Sequence, residues 1–206
     1  MIQPQPQDSP PGDEELMRKV SEGDERAFAA LVRRHTQKFY ALALRLCGDA
    51  QEAEDIVQDC FVKLWSGNAS WKTDMNARFT TWFYRIVTNA CLDHLRRQKR
   101  RVVMPDADGF LDSQPDSALD ADDAMIMDEE QAALEEAMAA LPERQRAALE
   151  LCVYEEMSNK EAADVLGVGV KALESLLSRA RAALKADLPV RLAARGHSVK
   201  RIEKHG

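Results

Sequence analysis

Cysteine is sparse in this 206-residue chain and never paired at metal-site or redox spacing: Cys47, Cys60, Cys91 and Cys152 each stand alone among apolar neighbours. They read as reduced core thiols, which excludes a disulfide framework and a zinc module. Cys91 and His94 are three apart and could share a helix face as ligands, but no second pair accompanies them, so no metal is expected. No apolar run approaches the roughly 18 residues that cross a bilayer, and Met1 to Gln7 lack the basic and apolar regions of a signal peptide. The chain therefore reads as cytoplasmic. Carboxylates and histidines with catalytic spacing are also lacking, so no catalytic residue, no cofactor and no enzymatic activity of its own are expected. His35 falls on an apolar helix face, where a satisfied core imidazole is expected.

Basic residues are unevenly scarce. The net charge is −7, yet residues 102–140 hold no Lys or Arg against twelve acids, while 71–101 hold eight basic residues against two acidic and 170–206 hold nine against three. Two basic blocks thus flank an acidic belt. Such a pattern suits contact with a polyanion at two separated places, since cations that neutralise phosphates release counterions. Two solvated helix faces would give the same counts.

Apolar residues make up 45% and charged residues 31%, a globular balance. The periodicity predicts an all-α fold of two small helical domains joined by a flexible acidic linker. Residues 1–12, rich in Pro, form a tail. The first domain spans 13–101. In it Asp24 caps a helix with Phe28, Leu31, Val32, His35, Phe39, Leu42 and Leu46 on one face, ended by Gly48. Asp49 caps the next, with Ala53, Ile56, Val57, Cys60, Phe61 and Leu64 inside and Ser66-Gly67-Asn68 as its stop. A polar loop, 67–78, leads to a long helix from Phe79 to Arg101 whose buried stripe is Trp82, Phe83, Ile86, Val87, Ala90 and Leu95. Residues 102–124 are the linker.

The second domain spans 125–188, followed by a basic tail, 189–206. One helix runs through Leu134, Met138 and Leu141, and another opens with Pro142 at its first position. Then Ser158 and Glu161 form a capping box, Gly167 ends that short helix, and a longer one runs from Val170 to Ala186 over Leu173, Leu176, Leu177, Ala180 and Leu184. This order is that of a helix-turn-helix, although a plain helical hairpin shares it. Lys171, Glu174, Ser175 and Ser178 are candidates for reading base edges in a major groove, and Arg179 and Arg181 for phosphate contacts. On the earlier long helix, Trp71, Phe79, Trp82, Phe83 and Tyr84 lie beside Arg85, Asn89, Arg96, Arg97, Lys99, Arg100 and Arg101, a mixture suited to single strands. Helical spacing equally suits those aromatics, Trp82 above all, to the core.

Three blocks carry a resemblance: Ala53-Glu54-Asp55-Ile56-Val57-Gln58-Asp59-Cys60-Phe61, the stretch from Phe79 to Asn89, and Asp93-His94-Leu95-Arg96-Arg97. Leu141 to Arg146, Ser158 to Ala163 and Ser178 to Arg181 extend it into the second domain. Over about residues 13–187 the chain resembles bacterial sigma factors of the extracytoplasmic-function group of the sigma-70 family. The resemblance implies a subunit that binds core RNA polymerase, recognises the minus-35 and minus-10 promoter elements and starts transcription, controlled by an anti-sigma factor that can itself be membrane-bound. It implies polymerase contacts at Glu54, Asp55, Gln58 and Asp59 on the clamp of the largest subunit, with the second domain on the flap of the second. It implies minus-10 contacts from Trp71, Lys72, Asn76, Arg78, Arg85, Asn89, Arg96 and Arg97, and minus-35 contacts from Ser158, Lys160, Lys171, Glu174, Ser175, Ser178, Arg179 and Arg181. Gly169, where relatives often have Ser or Thr, and Glu174, an acid on a DNA-facing helix, depart from the pattern. A sigma-like adaptor that titrates an anti-sigma factor without binding promoters is the alternative, and the basic residues speak against it.

Overall fold

The computed structural model describes residues 11–67, 78–103 and 122–195, and all regular structure among them is helical. Residues 1–10 of the expected 1–12 tail, most of the linker and residues 196–206 of the basic tail lie outside the described residues. Helix α1 (Asp13–Ser21) buries Leu16, Met17 and Val20. Its Asp13 carboxylate meets Nε2 of His35 at 2.9 Å and Nη1 of Arg34 at 2.5 Å, which satisfies the imidazole on its apolar face.

Helix α2 (Glu25–Cys47) starts where the Asp24 carboxylate accepts from the N–H groups of Arg26 and Ala27. It stops at Gly48, whose φ of 78° lies in the left-handed region that glycine enters without steric penalty, and from there its N–H donates to the Leu44 carbonyl at 2.8 Å. Asp49 caps α3 (Ala50–Trp65) through the Glu52 N–H. Helix α4 (Phe79–Val103) closes this bundle. Its Phe83 ring lies 4.7 Å from Phe39, 4.8 Å from Phe61 and 5.5 Å from Phe79, centroid to centroid, so one side chain ties three helices together.

The second bundle begins with α5 (Asp122–Ala139) and α6 (Glu143–Leu149). Pro142, expected at the first helical position, stands one residue earlier as the N-cap, with ψ of 138°. A π-helical turn, Glu150–Tyr154, continues α6, and α7 (Asn159–Leu166) and α8 (Val170–Ala194) follow. Helix α8, expected to end near Ala186, continues through Pro189 because its last turns dock on α5. Arg191 and Arg195 both reach the Glu136 carboxylate, at 3.0 and 2.7 Å, and Leu192 is buried. Those two arginines, which the sequence places in the basic tail, are engaged within the protein.

The two bundles also pack on each other, α6 and α7 against α4, and α6 with the π turn against α2. Tyr84, Thr88 and Leu92 form a second buried stripe on α4 beside the expected one and run on to Leu95, which the two share. The Tyr84 hydroxyl donates to Glu155 at one end, and Lys99 Nζ meets Glu143 Oε1 at 2.7 Å at the other. Trp82, Ile86 and Ala90, expected inside, are half-buried at the margin. Truncating Phe83 to Ala is expected to cost about 3–5 kcal/mol. Urea unfolding of the variant measures this, and a loss under about 1 kcal/mol would remove Phe83 from the centre of the first core.

Candidate nucleic-acid interfaces

Helix α7 is set by a complete capping box. The Ser158 hydroxyl accepts from the Glu161 N–H at 3.3 Å, and the Glu161 carboxylate accepts from the Ser158 N–H at 3.0 Å. The Ser158 hydroxyl and backbone N–H, and less strongly the nearby Arg78 guanidinium, hold the Glu161 carboxyl below the usual carboxylate range. Gly167, at φ of 63°, turns the chain, and Gly169 starts α8 without a side-chain cap. Leu173, Leu177 and Ala180 face inward. Lys171, Glu174, Ser175, Ser178 and Arg179 consequently line one open groove on the outer side of α8. Ser158, Lys160 and Arg181 are exposed as well. The Ser175 hydroxyl donates to the Lys171 carbonyl at 3.0 Å, which leaves its lone pairs outward as acceptors.

On α4 the exposed stripe is Arg85, Asn89, Asp93 and Arg96, with Arg97 beside it and Arg78 just before the helix. Arg96 bonds to Asp93 at 3.0 Å, and Arg85 and Arg97 have no ion-pair partner among the described residues. Trp71, Lys72 and Asn76 lie outside the described residues. Phe79, Phe83 and Tyr84 are buried, so the reading of these rings as a stacking platform for bases is corrected to a core role. Trp82, half-buried, packs 6.0 Å from Phe79.

Helix α3 presents Glu54, Asp55, Gln58 and Asp59 to solvent. Periodicity did not show their surroundings: Glu54 and Gln58 stand on a groove whose apolar walls are Phe28, Val32, Tyr40, Val57, Phe61 and Val62. Val62 is 63% exposed and Trp65 41%, so an acidic rim adjoins an open apolar strip. All four cysteines are free thiols, and burial pushes that of Cys60 up to about 11. His94 Nδ1 meets Glu52 Oε2 at 3.3 Å, and among the described residues no three His, Cys, Asp or Glu side chains group as a metal site.

Residues 31–101 match the family model described as Sigma-70 region 2, and residues 131–184 match Sigma-70, region 4. The chain belongs to the extracytoplasmic-function group of the sigma-70 family. It is 35% identical to the RNA polymerase sigma-H factor of Pseudomonas aeruginosa over 84% of this chain and 91% of that one. It is 30% identical to the ECF RNA polymerase sigma factor SigW of Bacillus subtilis, over 84% and 94%. Among solved structures it is similar to CnrH in complex with the cytosolic domain of CnrY, with a TM-score of 0.61, 29% identity and coverage of 86% and 97%. It is also similar to a Bartonella quintana sigma factor, RpoE, in complex with the anti-sigma factor NepR, with a TM-score of 0.58, 25% identity and coverage of 81% and 96%. In family terms α7 and α8 belong to region 4, and α3 and α4 to region 2.

Sequence reasoning passed over Arg45, Glu150 and Glu155 of this sigma factor and read Tyr84 only as a ring beside cations; the four meet between the two regions. Glu150 is 2% exposed, and burial pushes its carboxyl up against the pull of Arg45. Burial, followed by Glu155, raises the Tyr84 phenol, which stays a donor. An acid inside the apolar stretch Ala147-Ala148-Leu149-Glu150-Leu151 was the one visible trace of this site.

The depressed Glu161 pKa has a testable sign. The capping contribution is fully present above the unfolded carboxyl value and is lost as pH falls through the lower folded value. NMR titration should place Glu161 below the ordinary carboxylate range, and Ser158→Ala, which removes the hydroxyl but keeps the backbone N–H, should raise it part of the way back. A Glu161 midpoint that ignores the substitution would break the assignment.

Proposed function

We propose that this sigma factor is the promoter-recognition subunit of a bacterial RNA polymerase, acting in the cytoplasm with no catalytic group of its own. The observation that carries this is one chain with a helix-turn-helix whose outer groove is polar and basic, and a second helix with an exposed Arg85–Asn89–Arg96 stripe. Helix α8 fits a major groove. There Lys171 donates to guanine acceptors, Glu174 accepts from a cytosine amino group, Ser175 accepts through its outward lone pairs, and Ser178 can donate or accept. Arg179 and Arg181 fix phosphates and thereby register. Arg85 and Asn89 on α4 hold the strand exposed when the minus-10 element melts, where unstacked bases offer edges for hydrogen bonding. Polymerase docks on α3 through Glu54, Asp55, Gln58, Asp59 and the adjoining apolar strip, with its flap on the second domain. The partner of opposite effect is an anti-sigma factor, as NepR is to the similar Bartonella quintana RpoE. No helix among the described residues is long and apolar enough to cross a membrane.

The test is run-off transcription with purified core polymerase over a pooled promoter library. Transcripts sharing two upstream elements at fixed spacing establish the function, and polymerase binding without any specific start would favour the adaptor. Lys171→Ala should lower occupancy of the selected minus-35 element by about 1–3 kcal/mol while sparing scrambled DNA. Arg179→Ala should weaken both and reduce the slope of log affinity against log salt by about one. Equal occupancy of selected and scrambled DNA by the wild type would overturn base reading by α8. Asn89→Ala should impair opening, seen as lost permanganate reactivity upstream of the start. Asp55→Ala with Gln58→Ala should weaken polymerase binding in competition, and unchanged affinity would exclude that face of α3.

A further inference from the structure

The contact between the two regions is built around shared charges. Arg45, near the end of α2, donates from Nε to Glu150 Oε2 at 2.5 Å and from Nη2 to Glu155 Oε1 at 2.6 Å, and its guanidinium lies 5.0 Å from the Tyr154 ring centre. Glu155 also accepts from the Tyr84 hydroxyl of α4 and lies 3.6 Å from Lys38 Nζ. The two carboxylates are 3% and 7% exposed. The side chains that bond to these two acids, Arg45 and Tyr84, come from region 2, and both acids come from region 4, where buried Arg146 adds a further positive charge near Glu150.

Backbone geometry aims the acids together. Five residues of α-helix separate two side chains by about 140° around the axis. The π turn, closed by the Glu155 N–H on the Glu150 carbonyl at 3.0 Å, brings residues five apart to one side, where a single guanidinium serves both. Glu156, at φ of 52°, then turns the chain away toward α7.

This closed form cannot read a promoter. The minus-35 and minus-10 elements lie about 25 base pairs apart, or roughly 85 Å along B-DNA, whereas a compact chain of this length has a radius of gyration of about 17 Å. Helix α7, which carries the turn of the helix-turn-helix, is packed on α4, the other DNA-facing helix. The polymerase candidates Glu54, Asp55, Gln58 and Asp59 stay exposed. Resting on the promoter reading above, we propose that the Arg45–Glu150–Glu155–Tyr84 network is a latch that holds the free sigma factor closed. Polymerase engages α3 first, and the latch breaks before both elements are bound. Removing one partner leaves a buried charge uncompensated, so single substitutions should release it.

Small-angle scattering of the free full-length protein and its Arg45→Ala, Glu155→Gln and Tyr84→Phe variants reads the closure directly, with circular dichroism as the check on folding. The wild type should be compact, and Arg45→Ala and Glu155→Gln should expand with unchanged helix content. Their apparent affinity for core polymerase should rise about tenfold, because the competent open state no longer has to be drawn from a minor population. An expanded wild type overturns the latch, and so do variants as compact as the wild type. Unchanged polymerase affinity in an expanded variant overturns its coupling to docking. If Arg45→Ala loses helix content, the size-conserving Glu155→Gln decides. Run-off transcription by the wild type forms a separate arm: its failure would count against promoter recognition, while the scattering result would still judge the latch.

Discussion

An α-helix turns about 100° per residue, so a long one can give a stripe to each of three neighbours. Helix α4 does so, and the rest of the molecule is arranged around that division. Phe83, Val87 and Cys91 form the stripe that closes the first bundle with α2 and α3. Tyr84, Thr88 and Leu92, one step around the axis, accept the second bundle together with Leu95. Arg85, Asn89 and Arg96 are left outside, so the residues proposed to meet a melted strand are positioned by two cores rather than one. A shift in either packing would rotate them.

Local chemistry explains why much of this was legible in the chain. Asp24, Asp49 and the Ser158–Glu161 box act within a few residues, and Gly48 and Gly167 take left-handed conformations in which other residues are strained, so their roles need no tertiary context. The groove on α8 followed once Leu173, Leu177 and Ala180 were recognised as inward, since the remaining positions had to face out. Tertiary effects were not legible. The last turns of α8 persist through Pro189 because Glu136, over fifty residues earlier, binds two arginines there. Thr88 and Leu92 look like ordinary members of an outer face until region 4 is laid over them. The π turn has no periodicity of its own to read. The apolar strip beside Glu54 and Gln58 is assembled from α2 and α3 together, so neither helix shows it alone.

The uneven charge also takes on meaning from this arrangement. The cations proposed to meet DNA on α4 and α8 lie exposed, where they can exchange counterions for phosphates. Arg45, Arg191 and Arg195 are withdrawn from that role by carboxylates within the protein. A count of basic residues therefore overstates the DNA-binding surface, and the three cases divide by function. Arg191 and Arg195 extend a helix inside one region, whereas Arg45 joins two.

That last contact is polar for a physical reason. A wholly apolar interface would hold the regions together with no simple means of release, since its stabilisation scales with the area withdrawn from water; here Leu92 and Leu95 supply an apolar part and the Arg45 end a polar one. Buried ion pairs behave differently, because desolvation offsets most of their attraction while their geometry remains exacting. The Arg45 network thus specifies one closed arrangement without contributing much net stability to it. Glu155 accepts from two helices of region 2, so the bonds to α2 and α4 share a single carboxylate. Displacing that carboxylate costs the Arg45 Nη2 and Tyr84 bonds at once and leaves Arg45 with Glu150 alone, and in the open form each group recovers its hydration. An interface with these properties favours one closed geometry over many loose ones and still yields to a partner that binds the open state better, which promoter recognition at two distant elements requires.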